Sequence, residues 1–314
     1  MLSLWWRGVI LAGLITGQTH AQTICNTCVP FGQCYQTLPF DGTGEIDVRI
    51  VNPGSGPVPP VVSPGSPCTA GNEQCCTGGG ISGCGVRYRI PVIPALNPGV
   101  GEAPYGSQPW VASILTTPNV SYVGGGVLIN PVTVLTVAHK VDNRVGAPTT
   151  LKVRLGDLDS NANIEPFPVQ EARVARIILH PSYMPTAGNL YNDLAILTLA
   201  TPIQLAPVPN PAINTACMTN ATIPDNTRCY VAGWGKNAFS GTLQTKLKLV
   251  DVPIVANSVC QTNLRKTKLG PTFILNTDTF LCAGGESGKD ACVGDGGSPL
   301  VCNRGGRFQA SMYG

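Results

Sequence analysis

Beyond residue 109, apolar residues come in short runs of mainly Val, Ile and Leu, each broken off by Gly, Pro, Asn, Asp or Ser. The runs occupy 110–115, 127–136, 151–155, 174–179, 194–199, 229–234, 247–252, 280–282 and 300–302. Many short, β-branched runs at close spacing predict strands of a barrel or sandwich, since each can bury a face only against its neighbours. A helical period appears at one place, about 257–265. The pattern predicts an all-β domain over 101–314, with no internal repeat.

Upstream the pattern changes. Seven cysteines fall in the first 84 residues: Cys25, Cys28, Cys34, Cys68, Cys75, Cys76 and Cys84. Between Cys34 and Cys68 lies one amphipathic stretch, 44–51, and then a Pro/Gly-rich loop. So few apolar side chains cannot form an adequate core, so residues 22–76 need covalent staples. The neighbours Cys75 and Cys76 cannot readily bond to each other, so each reaches back to a different partner. Residues 77–100 turn to Gly, Pro and isolated Arg and read as a linker.

The first 21 residues carry Arg7, an apolar stretch over 8–17 and a small-x-small ending, Thr19-His20-Ala21. This pattern predicts a secretory signal peptide, because the stretch falls short of the roughly 20 residues that span a bilayer. Export places the thirteen cysteines in an oxidising context, where they read as disulfides and not as zinc ligands. It also makes Asn119 and Asn220, each heading an Asn-x-Ser/Thr triplet, candidate glycan sites. Charged residues are only 12% of the chain and the net charge is +3 with no basic run, which excludes nucleic acid as a partner. No later segment is apolar enough for a membrane span.

Three landmarks carry chemistry. They are Val134-Leu-Thr-Val-Ala-His139, Asn192-Asp193-Leu-Ala-Ile-Leu197, and Asp290-Ala-Cys-Val-Gly-Asp-Gly-Gly-Ser-Pro299. With Gly233-Trp234-Gly235 and Gln108-Pro109-Trp110, they stand in the order seen in chymotrypsin-like serine proteases, which 101–314 resembles. The resemblance implies a double β-barrel with His139 as general base and Asp193 as its orienting carboxylate. It places Gly294 and Gly296 as backbone oxyanion donors and Asp290 as the pocket carboxylate for Arg or Lys. The family's turn reads Gly-Asp-Ser-Gly-Gly-Pro, whereas here Gly296 holds the nucleophile position. Ser298 lies two residues on, too far to substitute where about 1 Å of misplacement matters.

Other departures agree. The family disulfide beside the histidine is replaced by Gly124 and Lys140, and 97–102 has no Arg or Lys immediately before it for activation cleavage. Asp295 then lacks the amine that pairs with it in active members. The first six cysteines resemble the clip domain of arthropod immune proteases. That resemblance implies Cys25–Cys75, Cys28–Cys68 and Cys34–Cys76, and the protease resemblance implies Cys84–Cys217, Cys229–Cys302 and Cys260–Cys282. Cys292 is left unpaired, because its family partner lies beyond Gly314, so the second barrel is expected to be incomplete.

The whole is similar to the clip-domain serine protease homologues, masquerade-like and phenoloxidase-activating-factor-like. The resemblance implies a secreted haemolymph adaptor of prophenoloxidase activation, whose partners are prophenoloxidase or its activating protease. The alternatives are a decoy that occupies such a protease or its substrate and, remotely, an active endopeptidase. Arg49 and Arg89 are candidate cleavage sites. No cofactor is expected; Asp157, Asp159 and Glu165 resemble a Ca²⁺ loop of the family only loosely.

Overall fold

The computed structural model describes residues 83–311, except 89, 91–92, 186–190, 207–209, 220 and 239, and the backbone of two strands nearer the start. The chain divides into two units. In the first, β1 (Cys28–Pro30) and β2 (Glu73–Cys75) pair antiparallel, with Cys28 opposite Cys75. The expected signal peptide, the three clip-type pairings, and Arg49, Arg89 and Asn220 lie outside the described residues.

In the second unit, six strands close into a barrel: β3 (Val111–Thr116), β4 (Tyr122–Asn130), β5 (Thr133–Thr136), β6 (Leu151–Leu155), β7 (Gln170–Leu179) and β8 (Ala195–Leu199). β6 shows why this sequence makes strands. Leu151, Val153 and Leu155 point into the core, while Lys152 and Arg154 face out to Glu171 on β7 at 2.8 and 2.7 Å. Ile114, Leu128, Val134 and Leu197 are fully buried in the same barrel.

A second sheet follows, from β9 (Cys217–Met218), β10 (Arg228–Gly233), β11 (Lys248–Pro253), β12 (Leu300–Arg304) and β13 (Arg307–Ser311), with one helix, α1 (Asn257–Leu264). Its order is β11-β10-β12-β13-β9, and it is open among the described residues. Trp110 is fully buried where barrel and sheet meet, its ring 5.1 Å from that of Phe308. Disulfides join Cys229 to Cys302 across β10 and β12, and Cys260 of α1 to Cys282; Cys292 is free.

The sequence pattern departs from this in four places. The run 127–136 is two strands, because Pro131 interrupts it and the Asn130 side chain accepts a hydrogen bond from the Val132 amide at 3.0 Å, making a turn. Residues 280–282 form no strand; only an isolated bridge, Ile254 to Ala283, forms there. β7 begins four residues before its apolar run, carried by the alternation of buried Ala172 and Val174. β9 and β13 are missed, since the described side chains of β13 alternate just two buried residues, Phe308 and Ala310, with polar Arg307 and Gln309.

The stretch composed like a linker is, over its described part, a strap sewn onto the second sheet. Cys84 is bonded to Cys217, Gly85 N donates to Thr215 O at 2.7 Å, and Phe308 N donates to Gly85 O at 2.8 Å. Gly85 is required there: its φ is +72°, and a Cβ would stand 2.4 Å from Phe308 O. Two residues on, the Arg87 guanidinium lies 3.7 Å from the Phe308 ring centre and 5.7 Å from those of Trp110 and Tyr230. Burial pushes its pKa down to about 9, with the Tyr230 phenol working against that shift. The aromatic faces are what make a desolvated cation tolerable.

Arg87→Ala is expected to lose about 2 kcal/mol in chemical denaturation, through lost stem packing and cation–π contact. Arg87→Met, which keeps the stem and removes the desolvated charge, recovers most of that loss. Equal destabilisation by both would show that the charge, and not the stem, holds the strap.

Candidate functional site

The three landmarks come together where barrel and sheet face each other. His139 sits in a 3₁₀ turn, Ala138–Lys140, immediately after β5. Asp193 precedes β8, and the residue before it, Asn192, takes a φ of +54°, a left-handed conformation that Asn tolerates. That turn is closed by Leu194 N donating to Asn192 O at 2.7 Å, and fixed by Asn192 Nδ2 donating to Ser182 O at 3.0 Å. Asp193 is buried and takes two hydrogen bonds from one residue: the His139 amide at 2.8 Å and the ring Nδ1 at 2.6 Å. With Nδ1 donating to the carboxylate, Nε2 is the nitrogen left to face the cleft.

It faces Gly296. A Cβ on Gly296 would stand 3.8 Å from both Nε2 and Cε1 of His139, so a hydroxyl there would come within hydrogen-bond reach of Nε2. The same Cβ would lie only 3.3 Å from Cε of Lys140. Lys140 also passes Gly124, whose Cβ would be 3.6 Å from its Cγ. The lysine stem therefore runs through the place where the family's disulfide would stand, and ends over the vacant nucleophile position. Ser298 is elsewhere: Cβ atoms on Gly125 and Gly233 would meet its Oγ at 2.2 and 2.7 Å, so the hydroxyl is wedged between those two backbones.

The turn that carries Gly296 is held from behind. Asp295 Oδ1 accepts from the Gly235 amide at 2.8 Å and Oδ2 from the Cys292 amide at 2.9 Å. The donors missing from the sequence reading are thus backbone N–H groups of the second sheet and of the turn itself. Gly235 must be glycine, since a Cβ there would meet the carboxylate carbon at 2.5 Å. Burial, and next the Asp295 charge, hold the Tyr122 phenol above its ordinary pKa. On the cleft side, Gly125 N donates to Gly296 O at 3.0 Å and ties the turn to β4.

Asp290 is exposed on the wall of an open cleft of about 800 Å³, together with Glu286, Cys292 and Val293. Its neighbour Lys289 is turned to Asp251 at 2.7 Å and Glu286 at 3.7 Å. The acidic loop is differently arranged from a cation cage: Asp157 pairs with Arg154 at 3.2 Å, while Glu165 Oε1 accepts the Leu158 and Asp159 amides at 2.9 and 3.0 Å. Asn119 is exposed in the β3–β4 loop. Lys140 and the Asp295 donors escape sequence reading; a cysteine replaced by a long cation beside the histidine was the only available signal for the first.

Asp295→Asn should lower stability by about 1–3 kcal/mol, because an amide can accept from only one of the two N–H groups and leaves the other unmet. Denaturant titration checks this. Cleavage anywhere in 77–100 should leave the Asp295 contribution unchanged, since no chain-end amine takes part.

The family comparisons agree with this geometry. Residues 98–313 match the trypsin family and 16–77 the clip domain of serine proteases. The chain is 46% identical over 94% of its length to the inactive CLIP domain-containing serine protease A3 of Aedes aegypti, spanning 62% of that relative. It is 40% identical over 70% of its length to phenoloxidase-activating factor 2 of Galleria mellonella, covering 75% of it, and 32% identical over 65% to the protein masquerade of Drosophila melanogaster, covering 19%. A trypsin-family match over most of the length, behind a clip-domain match, makes this chain a member of the clip-domain serine protease homologues.

Proposed function

We propose that the chain is a non-catalytic adaptor in an extracellular protease cascade that activates prophenoloxidase. The observation that carries the reading is Gly296 opposite an otherwise ordered His139–Asp193 pair. A hydrogen atom replaces the attacking group, and loss of a nucleophile costs on the order of 10⁶ in turnover. Ser298 is packed between Gly125 and Gly233 and does not serve. Relatives named as inactive proteases and as a phenoloxidase-activating factor support the role. Three disulfides in the described part support an extracellular setting. In this reading the clip domain and the protease-fold surface present a docking scaffold for prophenoloxidase or its activating protease, and no cofactor is needed.

The test is phenoloxidase activity in a mixture of prophenoloxidase and its activating protease, with and without the secreted chain. A rise supports the adaptor; a fall replaces it by a decoy; no change with folded protein removes the cascade role. The chain alone is expected to leave an arginine amide substrate uncleaved. Gly296→Ser should stay at least about a thousandfold below an active trypsin-type enzyme, because Lys140 crowds the new side chain and catalysis is lost by small misplacements. Substantial hydrolysis by that variant would refute the non-catalytic reading of the remaining site.

A further inference from the structure

The vacated nucleophile position is surrounded by groups suited to an anion. The Lys140 side chain passes with Cε 3.3 Å from where a residue-296 Cβ would be, so its ammonium, one bond further on, is within reach of the gap. Acidic groups nearby are engaged elsewhere: Asp193 with His139 at 2.6 Å, and Asp142 with the Tyr183 hydroxyl at 3.1 Å. Among the described residues no carboxylate pairs with Lys140. The backbone amides of Gly294 and Gly296 likewise donate to no described acceptor. His139 Nε2 closes the third side, 3.8 Å from the same point.

We propose that this gap binds the terminal carboxylate of a polypeptide, so that the protein recognises a chain end and not an intact peptide bond. Two physical differences favour the end. An intact bond offers one neutral carbonyl oxygen, which gains little from an ammonium; a terminus offers two oxygens sharing a full negative charge. The lost CH₂OH of a serine leaves room for the second oxygen. One oxygen then takes the Gly294 and Gly296 amides, and the other takes Lys140. In an active protease a cation here would crowd the attacking serine; in this chain it stands at the edge of an open space. Asp290 lines an open cleft together with Asp295, the residue between Gly294 and Gly296, and its carboxylate suits a terminus that ends in arginine or lysine. Such ends are what trypsin-type cleavage produces. The inference does not depend on the cascade role.

The test uses the full secreted chain and a fluorescein-labelled hexapeptide ending in arginine, in three forms: free acid, C-terminal amide, and continued by two residues with an amidated end. Fluorescence anisotropy at low salt should show the free acid binding at least about tenfold tighter than either other form, a difference of 1.4 kcal/mol. Lys140→Met keeps the stem against Gly124, so it should bring the acid within about twofold of the amide while leaving the melting temperature unchanged; Lys140→Arg should keep the preference. Equal affinity for acid and amide, absence of binding by all three forms, or a preference that survives Lys140→Met would each overturn the proposal. Displacement of the acid peptide by acetate at matching concentration would overturn the assignment to a chain end.

Discussion

A half-buried carboxylate taken up by two backbone amides shapes the site more than any other contact. Asp295 accepts from Gly235 on one oxygen and Cys292 on the other, so the turn carrying Gly294 to Ser298 is pinned against the end of β10. Charge-assisted bonds of this kind are short and strong, but only if the donors approach closely. Close approach is why Gly233 and Gly235 cannot carry side chains: Cβ atoms there would lie 2.3 and 2.5 Å from Asp295 atoms. On the other face, Gly297 has a φ of +89°, and a Cβ would collide with Gly125 O at 2.3 Å. Removing the carboxylate would free the turn from the sheet, and with it the position of Gly296 relative to His139.

In active trypsin-type enzymes, the resemblance holds, that same carboxylate meets a chain-end amine released by cleavage. Here its demand is met internally. A turn satisfied by backbone amides is held without a chain-end amine. The strap at 83–88 has a similar logic. Cys84, Gly85 and Arg87 fasten it through a disulfide, backbone bonds and stacked aromatic rings, so it acts as part of the second sheet's covering.

Much of this was readable in the sequence, and the reasons for the rest are physical. The barrel strands carried period-2 burial, as in 151–155, and the His139, Asp193 and Gly296 motifs carried fixed order, so both were legible. What escaped depended on long-range partners. β13 buries two of its four described side chains, too few to stand out. A Gly/Pro-rich stretch looks the same whether it hangs free or lies in a groove, and only Trp110, Tyr230 and Phe308 arriving from three distant places distinguish the cases. The donors for Asp295 are main-chain groups, which no residue pattern announces.

Lys140 shows the same limit from the other direction. In the sequence it is a missing cysteine, half of a pair lost together with the one matched by Gly124. In the fold the two positions are neighbours: a Cβ on Gly124 would stand 2.7 Å from Gly296 O and 3.6 Å from Lys140 Cγ. A disulfide there would have been neutral and inert. A four-carbon stem ending in a charge instead links the loop after β5 to the gap at Gly296, where a serine side chain would press on it, its Cβ 3.3 Å from Lys140 Cε. Loss of the nucleophile and gain of the cation are therefore sterically compatible with each other and poorly compatible with catalysis. A site so altered retains the tools for holding charge, the orienting aspartate, the imidazole and the amides of the turn, while it lacks the atom that would make and break bonds.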